Sequence, residues 1–239
     1  MDLSLLCDFL YKYNIDVSSS QLERFRLFYE LLIEKNKVMN LTAITEPSEV
    51  VTKHFIDSLA LISVIPDLES MDYRIIDVGT GAGFPGIPLK IVFPNLKITL
   101  FDSLNKRIVF LNEVIESLGL SGIEGVHGRA EEFGKNKDYR GLYDICVSRA
   151  VANLSTLSEY CLPFVKPGGS FISYKSDTVD EEIRAAEKAI SILGGRVFRI
   201  EKYELFGTDA MRSLVIINKE KDTPKKYPRK APLPSKNPL

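Results

Sequence analysis

The sequence predicts an α/β fold: a mostly parallel, seven-stranded sheet with an antiparallel edge, preceded by an N-terminal helical extension. Three observations lead to this prediction. Apolar residues recur at helical spacing before residue 66, β-branched runs alternate with helical stripes from residue 73, and a short turn joins the last two β-rich runs. Alternating strands and helices favour parallel pairing, whereas strands joined by a short turn favour antiparallel pairing.

The N-terminal region is expected to be helical throughout, up to a break at Pro66. In "SSSQLERFRLFYELLIEKNKVMN" the apolar residues fall at helical spacing, and the serines offer N-caps. A second helix is expected from Pro47, because proline is tolerated in a first helical turn, and it continues through "SEVVTKHFIDSLALISVI".

From Tyr73 onward the pattern changes to strands separated by loops and helices. Strands are expected at residues 74–78, 97–103, 122–128, 143–149, 169–175, 196–205 and 212–220. Helices are expected at 87–93, along an apolar stripe from 108 to 118, and at 181–195, where two glycines end the pattern. We divide the chain into a helical extension (1–66), a main domain (67–222) and a tail (223–239).

The composition is that of an ordinary soluble protein, with 239 residues, 45% hydrophobic and 26% charged. It contains no apolar run near the roughly 18 residues that a membrane span needs, and an acid at position 2 replaces the basic start of a signal peptide. A cytoplasmic location is therefore expected. Cys7, Cys146 and Cys161 are odd in number and lack metal-ligand spacing, so we expect neither a metal site nor a disulfide framework.

The tail differs from the rest of the chain in charge. It carries five cations and no acid, so removing its charge from the net −1 of the whole chain leaves −6 on residues 1–222. A basic, proline-rich segment cannot bury enough apolar surface to fold alone, and it suits a polyanionic partner.

A glycine-rich loop, "IIDVGTGAGFPGIPLK", follows the first predicted strand. Gly79, Gly81 and Gly83 come directly after the strand acid Asp77, whereas the frame that starts at Gly81 satisfies the dinucleotide pattern G-x-G-x-x-G. Glycines are retained where a backbone approaches something closely, so a turn without a ligand is the weaker interpretation.

The residues around the loop favour a cationic cofactor over a diphosphate. Pro85 removes a backbone donor, Phe84 adds bulk, and Asp77 repels phosphate while attracting positive charge. S-adenosylmethionine carries a sulfonium and an amino group and has no phosphate. Asp102, at the end of the second strand, is a candidate acceptor for ribose hydroxyls, although an acid there is as often a helix cap.

Several segments also match one known family in order and spacing. They are "NLTAI", "KHFIDSL", "DVGTGAGFPGIPLKI", "DSLNKRIVFL", "GRAEEF", "SRAVANLSTL" and the tail segment "KKYPRK". With these segments the chain resembles the glucose-inhibited division protein B family, whose members methylate N7 of a guanine in bacterial 16S ribosomal RNA.

The resemblance implies a class I (Rossmann-like) S-adenosylmethionine-dependent methyltransferase fold and, as partner, 16S rRNA in the small ribosomal subunit. It also implies cofactor contacts at five positions, which with the loop and strand-end residues give a cofactor-binding set of Asp77, Gly79, Gly81, Gly83, Phe84, Asp102, Ala130, Glu131 and Arg149. The tail residues expected to bind RNA are Lys225, Lys226, Arg229 and Lys230. We therefore expect deletion of 223–239 to weaken RNA binding and to leave cofactor affinity intact.

The residues after the fourth strand argue against reactions that need a proton removed. "SRAVANLS" lacks the D/N-P-P-aromatic clamp of amine methylation, Cys146 lies mid-strand where its thiol should stay protonated, and Lys175 is only loosely placed as a base. Guanine N7 has a lone pair and no proton, so no general base, and hence no catalytic residue of that kind, is expected. An NAD-dependent oxidoreductase, a small-molecule methyltransferase and a catalytically silent RNA-binding protein with the same fold stay open as alternatives. The roles of His54, Asp57 and Lys175 also stay open.

Overall fold

A seven-stranded sheet forms the centre of the computed structural model, which describes residues 1–149 and 151–239. The strand order is β3-β2-β1-β4-β5-β7-β6; β1 to β5 run parallel, and β7 lies antiparallel between β5 and β6. This confirms the predicted sheet and its antiparallel edge. The strands are β1 Arg74–Val78, β2 Lys97–Asp102, β3 Ile123–His127, β4 Tyr143–Arg149, β5 Val165–Ser176, β6 Gly195–Glu204 and β7 Met211–Lys219.

Helices cover both faces of the sheet. They are α1 Ser4–Tyr11, α2 Ser19–Met39, α3 Pro47–Val50, α4 Asp57–Leu59, α5 Gly86–Val92, α6 Asn105–Ser117, α7 Ala130–Phe133, α8 Leu154–Cys161, α9 Asp180–Ile192 and α10 Leu233–Lys236. A π-helix, Val51–Ile56, separates α3 from α4, and 3-10 turns occupy Ala60–Ser63 and Leu162–Phe164. None of the helices in these two ranges is both long and apolar enough to span a membrane.

Alternate residues of each strand enter two different apolar cores. Ile75 of β1 belongs to the core shared with the N-terminal helices, α5 and α6, whereas its neighbour Ile76 belongs to the core under α8 and α9. This alternation follows from the two-residue period of a strand. Phe25, Phe28 and Phe55 are fully buried, so the N-terminal helices are part of the first core.

The N-terminal region is less uniformly helical than the sequence predicts. The chain between α1 and α2 and the chain between α2 and α3 are not helical, and Asn40 ends α2 in a left-handed conformation, with φ +50°. Ser18 and Gln21 form a capping box at the start of α2, so the predicted serine cap is confirmed. Neither the π-helix nor the early start of β5 at Val165 was predicted, because local periodicity does not report either feature.

The tail lies against the main domain. Tyr227 and Pro234 are buried, and the Thr156 hydroxyl of α8 donates a hydrogen bond of 3.0 Å to the Pro234 carbonyl. Arg140 donates to the carbonyls of Thr223 at 2.5 Å and Tyr227 at 2.9 Å. A segment whose composition suggests a solvated end is therefore anchored at several points.

Candidate active site

Asp77 ties the glycine loop to the helix that follows it. Its side chain is fully buried at the end of β1, and Oδ2 accepts hydrogen bonds from the Thr80 hydroxyl at 2.7 Å and from the Gly86 N–H at 3.0 Å. Oδ1 has no hydrogen-bond partner among the described residues. A buried acceptor of this kind carries a desolvation cost unless something donates to it.

Burial raises the pKa of Asp77 to about 6, against the opposing effects of its two hydrogen bonds and of the positive charge on Arg149. A cation placed near this carboxylate would lower the pKa again, because an opposite charge favours the ionised form. Binding of a positively charged ligand and ionisation of Asp77 are therefore coupled.

Glycine is required at different positions of the loop for different structural reasons. Gly79, Gly81 and Gly83 adopt φ of +74°, +63° and +99°, a region that disfavours side chains. A Cβ on Gly83 would lie 2.5 Å from Ile87 Cδ1, so close packing also requires glycine there. At Gly81 the nearest other atom to such a Cβ is the Gly79 carbonyl oxygen, 4.0 Å away, so the loop is open at this point.

Asp102 joins the end of β2 to the glycine loop. Its Oδ2 accepts from the Gly81 N–H at 3.0 Å and from Arg107 at 3.1 Å, and its Oδ1 accepts from the Leu104 N–H at 2.9 Å. The carboxylate thus serves both as a cap for the segment before α6 and as a support for the loop. The predicted contact with a ribose hydroxyl stays a prediction.

A cleft of about 160 Å³ opens beside these two loops, at the carboxyl ends of β1 and β2. Open α/β sheets bind ligands at this edge. The walls include four residues from the predicted cofactor set, Gly79, Asp102, Ala130 and Glu131, together with residues that the sequence did not indicate, among them Ser103, Val151 and Tyr160. No sequence motif marks Tyr160, because it comes from α8 and reaches the cleft only through the fold.

Phe84 and Arg149 lie together on the side of the loop that faces the N-terminal helices. The Arg149 guanidinium carbon is 5.2 Å from the centre of the Phe84 ring. Arg149 Nη1 donates to Asp57 Oδ2 at 2.7 Å and to the Lys53 carbonyl at 3.1 Å. The structure therefore brings Asp57 and His54 to the predicted site and gives Arg149 protein partners; its contact with the cofactor stays a prediction.

His54 is held as a neutral imidazole. Its Nδ1 lies 3.3 Å from Arg149 Nη2 and 3.2 Å from the Lys53 carbonyl oxygen, and its Nε2 lies 2.8 Å from Thr42 Oγ1. Burial, and then the charge of Arg149, lower the pKa of His54 to about 3, against the opposing effect of the Lys53 carbonyl. With both ring nitrogens engaged and a pKa this low, His54 is a poor base.

The π-helix explains how these groups reach the loop. His54 lies within it and Asp57 follows it directly, so the extra residue in this turn changes which side chains face Arg149. Single π-turns inserted in helices occur often at functional sites. The Ser58 hydroxyl also donates to the His54 carbonyl, at 2.5 Å.

Two further candidates for chemistry are engaged elsewhere. Lys175 Nζ donates to Glu182 Oε1 at 2.7 Å and to the Ala152 carbonyl at 2.9 Å, so it is held as an ion-paired ammonium. Cys146 is fully buried, and burial together with the neighbouring thiol of Cys161 raises its pKa well above the usual range. The prediction that this thiol stays protonated is confirmed.

The cations of the tail are of two kinds. Lys225, Lys226, Lys230 and Lys236 are exposed, and within the described ranges none of them has an ion-pair partner. Arg229 instead pairs with the buried carboxylate of Glu159, with Nη2 2.7 Å from Oε2. The structure thus gives Arg229 an intramolecular partner, and RNA binding by the lysines stays a prediction.

The residues present fit S-adenosylmethionine. Asp77 lies beneath the glycine loop, outside the cleft wall, and its Oδ1 is a buried acceptor without a donor among the described residues. Gly81 leaves the loop open, and Asp102 and Glu131 add carboxylates to the cleft beside a single arginine, Arg129. Carboxylates attract the amino group and sulfonium of this cofactor and repel a diphosphate. Within the described residues, no group of three or more His, Cys, Asp and Glu side chains is arranged to hold a metal ion.

Comparison with known proteins identifies similar sequences over the whole chain. The model of the family described as rRNA small subunit methyltransferase G (GidB) matches residues 21–208. A ribosomal RNA small subunit methyltransferase G from Staphylococcus saprophyticus is 51% identical over 239 residues, covering 100% of this chain and 99% of the relative. One from Desulforamulus reducens is 52% identical over 224 residues, covering 94% and 92%.

Solved structures agree on the fold. A SAM-dependent O-methyltransferase from Thermotoga maritima superposes with a TM-score of 0.52 at 18% identity, over 80% of this chain and 72% of that one. TYW2 from M. jannaschii, in complex with AdoMet, gives a TM-score of 0.52 at 11% identity, over 68% and 76%. At such identities the likeness establishes the α/β Rossmann-like fold alone.

Proposed function

The chain belongs to the rRNA small subunit methyltransferase G family, and from that membership we propose that it methylates N7 of a guanine in 16S ribosomal RNA, with S-adenosylmethionine as the methyl donor. The partner in this proposal is the small ribosomal subunit, and the place of action is the bacterial cytoplasm. The residues proposed to hold the cofactor are the glycine loop above Asp77 and the walls of the cleft, including Asp102, Ala130 and Glu131.

S-adenosylmethionine, when bound, supplies an electrophilic methyl group on a positively charged sulfur. The chain then has to bind the cofactor and hold the guanine so that N7 faces the methyl carbon. Guanine N7 attacks with a lone pair and loses no proton, so no side chain needs to act as a base. Alignment of two reactants can supply about 7 to 11 kcal/mol of a barrier.

The observation that carries this mechanism is the engagement of the two basic side chains whose roles the sequence left open. Lys175 is paired with Glu182, and both ring nitrogens of His54 have hydrogen-bond partners within the chain. An acceptor atom without a proton, such as guanine N7, needs neither of them.

Labelling of RNA tests the proposal. The protein is incubated with radiolabelled S-adenosylmethionine and either small ribosomal subunits, free 16S rRNA or a mixture of small metabolites, and N7-methylguanine is then mapped by borohydride reduction and aniline cleavage. We expect label at a single guanine of the 16S rRNA. Label in small metabolites alone, or in no substrate, would contradict the proposal.

Calorimetric titration tests the cofactor separately. S-adenosylhomocysteine and NADH are compared, because the frame that starts at Gly81 also satisfies the dinucleotide pattern. We expect binding of S-adenosylhomocysteine and none of NADH. Binding of NADH alone would favour an oxidoreductase.

A further inference from the structure

Arg229 of the tail is paired with a buried carboxylate of α8. Glu159 is 0% exposed, and its two oxygens accept from Arg229 Nε at 3.0 Å and Nη2 at 2.7 Å. The backbone N–H of Arg229 also donates to Glu159 Oε1, at 2.6 Å. The pair is thus bidentate, and it fixes both the side chain and the main chain of the tail at this point.

The residue after Glu159 is Tyr160, which lines the cleft proposed to bind the cofactor. Glu131 is a second residue of the wall of this cleft. Burial, followed by the charge of Glu131, raises the pKa of Tyr160, so the phenol stays protonated as a donor. The helix α8 therefore faces the tail at Glu159 and the cleft at Tyr160.

The tail also contacts α7, the helix that contributes Ala130 and Glu131 to the cleft. Arg140 donates to the carbonyl of Gly134, which follows α7 directly, and to three tail carbonyls. Pro228 packs on Gly134 so closely that a Cβ there would lie 2.9 Å from its Cγ. One guanidinium and one proline thus hold the end of α7 against the tail.

We propose that the tail is a positioning element of the cofactor cleft, with Arg229 holding Glu159 so that the adjacent Tyr160 contacts the adenosine part of S-adenosylmethionine. This inference rests on the proposed function. It adds Tyr160 as a binding residue and Arg229 and Glu159 as positioning residues. It also assigns a role to a segment that lies outside the matched residues 21–208.

Charge and burial separate this role from RNA binding. An RNA contact requires an accessible cation, and the four exposed lysines of the tail are accessible. Arg229 instead forms an ion pair with Glu159, whose carboxylate has no solvent exposure. Removing one partner of a buried pair leaves the other charge uncompensated, so α8 would have to shift to bring Glu159 to water. Tyr160 would move with it.

A pair of matched variants tests the inference. Arg229→Gln removes one tail charge together with the pair, and Lys225→Gln removes one tail charge from an exposed position. The dissociation constant of S-adenosylhomocysteine is measured by calorimetry at a temperature where circular dichroism shows wild type and variants folded. We expect Arg229→Gln to weaken this binding about fivefold, the effect of losing one neutral hydrogen bond from Tyr160. Lys225→Gln should leave it within about twofold, the scatter of surface substitutions.

Enzyme kinetics give a second readout. A purely structural role of Arg229 would not change the KM for S-adenosylmethionine separately from the KM for RNA. For Arg229→Gln the KM for S-adenosylmethionine should rise and the KM for RNA should stay close to wild type, and Lys225→Gln should show the reverse. Arg229→Lys still neutralises the charge of Glu159 but cannot form the bidentate contact, so we expect its affinity for S-adenosylhomocysteine to lie between those of Arg229→Gln and wild type. If Arg229→Gln does not fold, Arg229→Lys is used in its place. We then expect the cofactor dissociation constant to be higher in Arg229→Lys than in wild type, and no such increase in Lys225→Gln.

The outcomes are distinguishable. Folded Arg229 variants with wild-type affinity for S-adenosylhomocysteine would overturn the inference and leave the proposed function standing. Wild-type protein that does not bind S-adenosylhomocysteine would overturn the proposed function and the inference with it. Full recovery by Arg229→Lys in both affinity and KM would also count against the inference, because charge alone would then suffice.

Discussion

The rings of His54 and Phe84 stack with their centroids 4.5 Å apart and their planes 21° from parallel. This contact joins the π-helix of the N-terminal region to the glycine loop, because Phe84 follows Gly83 directly. The guanidinium of Arg149 on β4 also lies over the Phe84 ring, and its Nη2 is 3.3 Å from His54 Nδ1. The loop is thus held from the N-terminal side as well as by Asp77.

The first prediction concerns the pH dependence of stability due to His54. Its pKa is about 3 in the folded protein and 6.5 in the unfolded chain, so between these values the unfolded chain binds more protons. The free energy of unfolding should therefore fall as pH falls from about 6.5 towards 3, by at most about 1.4 kcal/mol per pH unit from this group. Denaturant unfolding at several pH values measures this slope.

His54→Phe keeps an aromatic ring against Phe84 and removes the titration, so its slope should be shallower than that of wild type. His127 is exposed and supplies the control, because the chain has two histidines. His127→Gln should retain the wild-type slope. An unchanged slope in His54→Phe would show that this imidazole is protonated in the folded protein.

The second prediction concerns Asp77, whose effect on the pH dependence of stability is opposite in sign to that of His54. Its pKa is raised from 3.8 to about 6 on folding, so its contribution to stability is present below pH 3.8 and is lost as pH rises through 6. Cofactor affinity should change in the other direction, because a cationic ligand needs the ionised form. We expect the dissociation constant of S-adenosylmethionine to increase below pH 6, by up to about tenfold per pH unit.

Asp77→Asn should remove both effects and weaken cofactor binding at neutral pH. Asp77→Ala, which also leaves the Gly86 N–H without its acceptor, should nearly abolish binding. Thr80→Val removes one hydrogen bond to the same oxygen and provides the matched control. It should lower the free energy of unfolding by about 1 kcal/mol. Calorimetry in buffers of different ionisation enthalpy reports the proton released on binding; no release in wild type would contradict the coupling.

The third prediction concerns the ion pair between Arg149 and Asp57. Asp57 is 6% exposed, so Asp57→Asn leaves a largely buried guanidinium without its counter-charge and should cost about 3 to 5 kcal/mol of stability. The hydroxyl of Tyr203 donates to the other oxygen of Asp57 at 3.1 Å. Tyr203→Phe removes that bond alone and should cost about 1 kcal/mol.

Thermal and denaturant unfolding measure both losses of stability. Calorimetry with the cofactor shows whether its affinity depends on the ion pair that holds Arg149. Equal costs for the two substitutions would mean that the ion pair contributes no more than a neutral hydrogen bond.

The fourth prediction is that Lys175 does not act as a base. Lys175→Gln keeps a polar group near Glu182 and should reduce kcat less than tenfold, below the 10² to 10⁴ that a general base contributes. The dependence of kcat on pH should be the same in wild type and variant between pH 7 and 9. A larger loss together with a shifted pH profile would restore Lys175 as a catalytic residue.

The fifth prediction concerns salt. Five tail cations would give a slope of log affinity against log salt of about −3.5, but with Arg229 engaged by Glu159 the four exposed lysines give about −2.8. Replacing those four by glutamine should reduce the measured slope for RNA by about that amount and leave S-adenosylhomocysteine affinity unchanged. Equal slopes for wild type and variant would show that the lysines do not contact phosphate.

The tail contacts also change the expectation for truncation. From the sequence, deletion of 223–239 leaves cofactor affinity intact. The contacts of Arg229 with Glu159 and of Arg140 with tail carbonyls lead us to expect a weaker cofactor complex as well. The quadruple lysine variant separates the two effects, because it keeps the tail in place.

The strands and the glycine loop could be predicted from sequence because their signals are local. The run at 74–78 has β-branched residues followed by an acid and glycines, and β1 has those same bounds. The positions of Gly79, Asp102 and Glu131 at one edge then follow from the parallel order of strands.

The remaining parts depend on contacts between distant residues. Glu159 looks like a surface acid on α8, and nothing near it indicates an arginine 70 positions later. Tyr160 reaches the cleft because α8 packs beside α7, which periodicity does not specify. The π-helix depends on one extra residue in a turn, a change that leaves the apolar pattern almost intact.

The carbonyl contacts of Arg140 have a consequence for proteolysis. A detached basic segment is readily cut by trypsin, whereas this one must first leave α7 and α8 before the protease can reach the bonds on either side of the buried Tyr227. The rate of cleavage is therefore set by a local opening equilibrium. A ligand that binds the cleft with the tail in place would slow this cleavage, so the intact mass after timed digestion would report occupancy without any label.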